Sequence, residues 1–251
     1  MRNDRKKGQE PACESHTTCW QADRGLRVAV YVAGLIVLAL GLVLNTKTGL
    51  GTAPLVSPAF VISQLTGFSF ANVTFVVYSG FVLIELVLHL IRKDRKRMLN
   101  DLLQLPFALV FTRFMKLFDA VIPSLAGDGA GPVRGTLWCR LAVLAVALFL
   151  IGLGACLSMR MRLIPNPGDG AVLAISDFFG IRLGLAKNIF DISCVVAAAV
   201  IGLIFRGQLI GVGIGTVLAM LFVGRIIDLV GGLFEESINR LTGTKKGTVH
   251  K

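Results

Sequence analysis

The sequence predicts an all-α polytopic membrane protein of about six transmembrane helices in two repeats, inverted 3+3, each with a short re-entrant or broken helical insert. Three observations predict it. Hydrophobic residues make up 54% of the 251 positions and mean hydropathy is +0.73, which leaves too little polar surface to coat a soluble globule. Several runs approach the roughly 20 apolar residues that a bilayer core demands. Sliding the chain on itself by about 113 residues superposes Arg27 on Arg140, Gly41 on Gly154, Pro54 on Pro167, Ile62-Ser63 on Ile175-Ser176 and Gly67 on Gly180, and such fixed-offset self-similarity signals a duplicated architecture.

The elements follow in order. Residues 1–26 are polar and charged, with no apolar core, and read as a flexible cytoplasmic tail with no signal peptide ahead of the first span. The first repeat covers 27–122. Its first span, 27–45, carries no charge after Arg27, and Gly34 and Gly41 lie on one face, where small residues let helices approach closely. The first insert opens with Lys47-Thr-Gly-Leu-Gly-Thr-Ala-Pro54 and continues as a short apolar helix over 55–65. That helix rises only about 17 Å, well short of a hydrocarbon core of about 30 Å, so it cannot cross alone. A second span covers Phe70 to Ile91 and ends in the basic cluster 92–97, and a third covers 102–122. The Gly/Pro/Asp-rich connector 123–139 separates the repeats, with Trp138 at an interfacial position.

The second repeat, 140–234, gives a span over 140–158 and then a second insert, Leu163-Ile-Pro-Asn-Pro-Gly-Asp-Gly170, with its own short helix as far as Gly180. Spans over 185–205 and 209–234 follow, and 235–251 is a charged tail. Three spans per repeat is an odd number, so the second copy enters the membrane from the opposite side. Charge supports this count over four spans per copy. With the N-terminus inside, the basic groups of both tails, of 92–97, and of Arg160, Arg162, Arg182 and Lys187 are all cytoplasmic, whereas four spans would translocate 92–97. Irregular backbone at membrane depth is tolerated only inside protein or beside a watery cavity, so the two inserts are expected to meet near the midplane. Gly49, Gly51 and Gly168 are expected there for positive φ or close backbone approach.

The formal net charge of +11 is explained by topology, since the basic residues cluster in tails and between apolar runs; no nucleic-acid partner is expected. Cys13, Cys19, Cys139, Cys156 and Cys194 lack paired metal spacing, and His16, His89 and His250 are too scattered for a catalytic or metal constellation. No Gly-rich phosphate loop, His-Glu-x-x-His or Gly-x-Ser-x-Gly motif is present, so neither enzymatic chemistry, a metal nor a cofactor is expected.

The Gly-x-Gly-Thr-x-Pro at 49–54, the Pro-x-Asp of Pro167 and Asp169, the Gly-x-Gly-Thr of Gly213 to Thr216 and the downstream Gly224-Arg225-Ile-Ile-Asp228 together resemble the bacterial YczE/YyaS/YitT-type integral membrane family over essentially 27–234. The resemblance implies a plasma-membrane protein of unassigned activity, without a described cofactor. This chain has Leu55-Val56 after Pro54 where members resembling it carry a Trp-Asp pair, so no acidic role is implied for the first insert.

Ionisable side chains inside spans are the sharpest clue, each costing about 2.5–3.5 kcal/mol unless it faces protein, water or a partner. Lys116 and Asp119 in the third span and Arg225 and Asp228 in the sixth are spaced i, i+3 and share a helix face. Both pairs are expected to face inward, either neutralising each other to pin helices together or lining a solute path. Arg113, near the bilayer centre, needs a partner; Asp191 suits better than Glu85, which lies two turns from the cytoplasmic end and can snorkel. Glu85 and His89 are four apart, which suits a proton relay or a helix-surface hydrogen bond. Asp169 is expected to cap the second insert's helix. These residues suggest a secondary transporter or exporter of a small solute, whose charge the signs of Arg113, Lys116, Arg225, Glu85, Asp119, Asp191 and Asp228 leave open. The other reading is a non-transporting membrane protein that docks or regulates a partner. Oligomeric state is not legible.

Overall fold

Apolar runs of Leu, Val, Ala and Ile broken only at Gly and Pro fold here as helices, because inside a bilayer a helix satisfies every backbone group within its own segment. The computed structural model describes residues 16–125, 136–161 and 163–233, with side chains from Gly25 onward except at 95, 96 and 160. Among the described residues the helices are α1 (His16–Lys47), α2 (Ser57–Thr66), α3 (Phe70–Ile91), α4 (Arg95–Val121), α5 (Leu137–Arg160), α6 (Pro167–Phe179), α7 (Leu183–Arg206) and α8 (Ile214–Leu233), with a 3-10 turn, Pro54–Val56, ahead of α2. Five of them, α1 from Gly25 together with α3, α5, α7 and α8, are long and apolar enough to cross a membrane, which marks a multi-pass membrane protein.

Several boundaries differ from the sequence reading. The third expected span is embedded in α4, whose 27 residues give ample length but whose seven Arg, Lys and Asp side chains keep it out of the apolar set. Its helix starts inside the basic cluster because Lys93 turns the chain at φ 59 and the Asp94 carboxylate accepts from Arg97 N at 3.4 Å, capping the first turn. The segment 1–26, expected as a flexible polar tail, is helical from His16. The sixth expected span begins at Ile214 and not at 209: Gly207 (φ 65) ends α7 and Gly211 (φ 70) turns the next stretch, leaving a loop packed on the first insert. The Gly127 to Arg134 part of the connector, the tail beyond 233, Cys13, His250, Arg162 and the Cys19 and Arg160 side chains lie outside the described residues.

The centre of the bundle is an antiparallel pair, α1 against α5. A Cβ at Gly154 would sit 2.5 Å from Leu38 N, and one at Gly41 would sit 2.8 Å from Ile151 N, so both glycines are there for backbone approach. α4 lies beside α1 in the same direction, with Tyr31 edge-on to Phe107 at 5.4 Å near one end and Lys47 Nζ on Asp119 Oδ1 at 2.8 Å at the other. α3 runs antiparallel to α4, Tyr78 stacking on Phe111. Below, the basic end is the one with the α3–α4 turn, and the far end is the one with Lys47.

Candidate functional site

The first insert leaves the far end of α1 and dips into the bundle. Gly49 (φ 64) and Gly51 (φ 132) supply conformations that L side chains avoid. Two of its backbone groups pair with the loop before α8 and with the first turn of α8: Thr52 N donates to Gly211 O at 2.9 Å and Gly215 N donates to Leu50 O at 2.9 Å. The Thr52 hydroxyl adds a bond to Gly211 O, and a Cβ on Gly51 would lie 2.7 Å from Thr216 Oγ1. The two Gly-x-Gly-Thr motifs therefore interlock, which is how irregular backbone is tolerated at depth. Around them the far end opens into a cavity of about 690 Å³ lined by Lys47, Leu50, Phe60, Ser63, Asp119 and Gly211 among others.

The second insert is held from the other side. Arg27 Nη2 donates to Met161 O at 2.8 Å and the Tyr31 hydroxyl donates to Ile164 O at 2.9 Å, hanging the segment before α6 on α1. Pro167 occupies the first turn of α6, where its missing N–H costs nothing. The helix runs toward the basic end, where Asp177 pairs with Arg97 of α4, and closes at Gly180 (φ 65). The two inserts meet: a Cβ on Gly168 would lie 2.2 Å from Leu55 Cδ2.

Below that contact a buried polar cluster surrounds α6. Glu85 of α3 accepts from Gln104 Nε2 of α4 at 2.6 Å, one turn above a 2.6 Å contact between His89 Nδ1 and Asp101 Oδ2. The Glu85 carboxylate presses on the first turn of α6, 2.6 Å from where a Gly170 Cβ would be. On the opposite side of α6, Lys187 Nζ of α7 stands 3.5 Å from Asp191 Oδ2 and 3.9 Å from Asp169 Oδ1. Tyr78, fully buried, lies beside Asn166 and near Asp169. Among the described residues no three His, Cys, Asp or Glu side chains are grouped as metal ligands.

The residues singled out in the sequence divide into two sets. Glu85, Asp169 and Asp191, with Gly49, Gly51, Pro54, Pro167 and Gly168, lie at the inserts or in the cluster. The expected charge pairs do not form. Asp119 is taken by Lys47 from α1, leaving Lys116 exposed, and Arg225 and Asp228 are exposed on α8 without an ion pair between them; neither pair turns wholly inward, because the faces carrying Lys116, Arg225 and Asp228 point away from the neighbouring helices. Arg113 is likewise exposed, and its expected partner Asp191 is engaged by Lys187 one turn away. Glu85 does not snorkel; it is 1% exposed and held by Gln104. Asp169 sits in the first turn of α6, the N-cap position is Asn166, and neither caps through its side chain. Asp101, Gln104 and Thr216 went unrecognised as site residues. The i, i+3 spacing of Asp101 and Gln104 was the available signal.

The comparisons add a family but no activity. Similarity to a curated relative, the "Uncharacterized protein YyaS" of Bacillus subtilis (strain 168), extends over 205 residues at 26% identity, covering 81% of this chain and 92% of that protein. No solved structure matches. Residues 25–231, from the first turns of the apolar part of α1 to the last turn of α8 and so including both inserts and the polar cluster, match a family of unknown function, DUF6198, and to that family the chain belongs.

Proposed function

We propose that this chain is a secondary transporter or exporter of a small solute in the bacterial plasma membrane, built as inverted repeats of three spans each, with α4 as the third of six crossings and both termini cytoplasmic. The observation that carries the reading is the meeting of two broken inserts in the interior, Leu55 against Gly168. Those positions are equivalent at the repeat offset of about 113 residues, so their contact lies where an axis exchanging the halves would pass. The same exchange relates other contacts. Arg27 on Met161 O corresponds to Arg140 Nε on Thr48 O, and Gly41 against Ile151 corresponds to Gly154 against Leu38. Broken helices meeting at depth between inverted repeats are where transporters of this architecture bind their substrates.

The solute path in this reading runs from the far-end cavity past the insert tips to the cluster around α6. The far side is open, and the basic side is closed by α6 held through Asp177 to Arg97. The basic cluster makes that closed side cytoplasmic. No enzymatic step is included, for want of any catalytic motif in the sequence. One observation favours a second reading, docking to a membrane partner: Arg113, Lys116, Arg225 and Asp228 are exposed on the outer faces of α4 and α8, where lipid alone is a costly neighbour. Purified protein in liposomes, loaded with a broad metabolite mixture, tests the first reading. Depletion or accumulation of a solute by the wild type and not by Gly168→Val supports it; no flux in either direction, with a membrane protein co-purifying in stoichiometric amount, supports the second.

A further inference from the structure

We propose that Glu85 is a proton-binding site, joined to the basic end through Asp101 and His89, and that the second insert senses whether the proton is there. The inference rests on the transport reading only for its coupling to solute movement. Glu85 and Gln104 are each 1% exposed, Asp101 is 4% and His89 is 7%. Within this closed group three atoms are buried without a hydrogen-bond partner: Glu85 Oε1, Gln104 Oε1 and His89 Nε2. Unpaired buried polar atoms are costly and rare, and here three of them belong to neighbouring side chains of one cluster on α3 and α4.

The surroundings suit a proton in both of its states. Gln104 Nε2 donates to an ionised Glu85, and the same amide, turned over, offers its unpaired Oε1 to a neutral acid. Asp101, one turn before Gln104 on α4, is the other acidic side chain of this group on α3 and α4 and lies near Glu85. Asp101 also contacts His89 Nδ1 at 2.6 Å, and His89 stands one turn nearer the basic end on α3. On the α6 side the carboxylate is closed off by backbone, since a Gly170 Cβ would lie 2.6 Å from Glu85 Oε1 and 2.9 Å from Gln104 Nε2. The other charged groups near Glu85 are Asp169 on α6 and, behind it, Lys187 and Asp191 of α7, which are paired with each other. No lysine or arginine is ion-paired with Glu85 among the described residues.

The sensing follows from position. An ionised Glu85 lies against the first turn of α6, where negative charge is favoured by the helix dipole. Taking up a proton from cytosolic water removes that charge and weakens the hold of α3 on the insert.

Infrared difference spectra of the purified protein in liposomes, recorded across a pH step, test the site without any solute. The wild type should show a carboxylic C=O band that titrates, absent in Glu85→Gln and shifted in Gln104→Leu, which keeps the carboxyl and serves if Glu85→Gln fails to fold. His89→Gln should keep the band and slow its appearance after a pH jump by about tenfold or more. The absence of a titrating band in the wild type, or a band unchanged in both Glu85→Gln and Gln104→Leu, overturns the proposal. If the band behaves as expected and no solute moves, the proton site stands and the transport reading falls. Solute flux indifferent to a pH gradient and to Glu85→Gln overturns the coupling.

Discussion

Replacing Gly168 by alanine should destabilise the protein, and the same replacement should stabilise it once Leu55 has been cut back to alanine. Gly168 is the second residue of α6 and is not among the glycines with positive φ, so alanine suits its backbone and gains about 0.4–1 kcal/mol through a less flexible unfolded chain. The new Cβ would lie 2.2 Å from Leu55 Cδ2, 2.6 Å from Cδ1 and 2.7 Å from Cγ, where carbon atoms rest at about 3.5–4.0 Å. Leu55 must retreat by more than an ångström, and such overpacking costs about 1–3 kcal/mol. The net expectation is a loss of about 1 kcal/mol. In a Leu55→Ala background the obstructing atoms are gone and only the gain remains, giving a coupling of about 2 kcal/mol, within the range for residues in contact. Unfolding of the four proteins in one detergent measures it. An equal stabilisation by Gly168→Ala in both backgrounds would refute the contact between the inserts and the argument built on it.

Gly154→Val should prevent α1 and α5 from closing, since its Cβ meets the backbone of Leu38 at 2.5 Å and of Gly34 at 2.7 Å; yield of folded protein in detergent should fall severely, and wild-type yield would show that the helices stand further apart. A double-mutant cycle should give Lys47 and Asp119 a coupling of about 1 kcal/mol or less, as befits a partly exposed pair, and Lys116 and Asp119 about zero; the reverse order would return Asp119 to its own helix. A single cysteine introduced at position 95 should be shielded from a membrane-impermeant reagent in intact cells and labelled after permeabilisation; labelling in intact cells would invert the proposed topology.

The inserts were legible because their signals are local. The glycines at 49 and 51 are there for φ, the proline at 167 starts a helix, and the self-similarity of the two segments reads directly from residue identity. The apolar spans within α1, α3, α5 and α7 were legible for the same reason, since a bilayer sets a length and hydropathy reports it. At α4 the local signal misled. An i, i+3 pair on one helix is worth only a few tenths of a kcal/mol, too little to hold Asp119 once the end of α1 brings Lys47 within 2.8 Å.

By itself the sequence determined that this is a helical membrane protein, where most of its spans lie, and that two broken segments interrupt them. Only the tertiary structure decided which face of each helix is buried and which charge meets which. Glu85 turned from a candidate for snorkelling into a buried acid when α4 supplied Gln104 and α6 supplied Gly170, and Arg113 and Arg225 turned outward. In water the two faces of a helix differ in polarity and the pattern tells them apart. In a bilayer the outer face is as apolar as the core, so the periodicity that would assign each face is largely erased, and contact between helices is left to settle it.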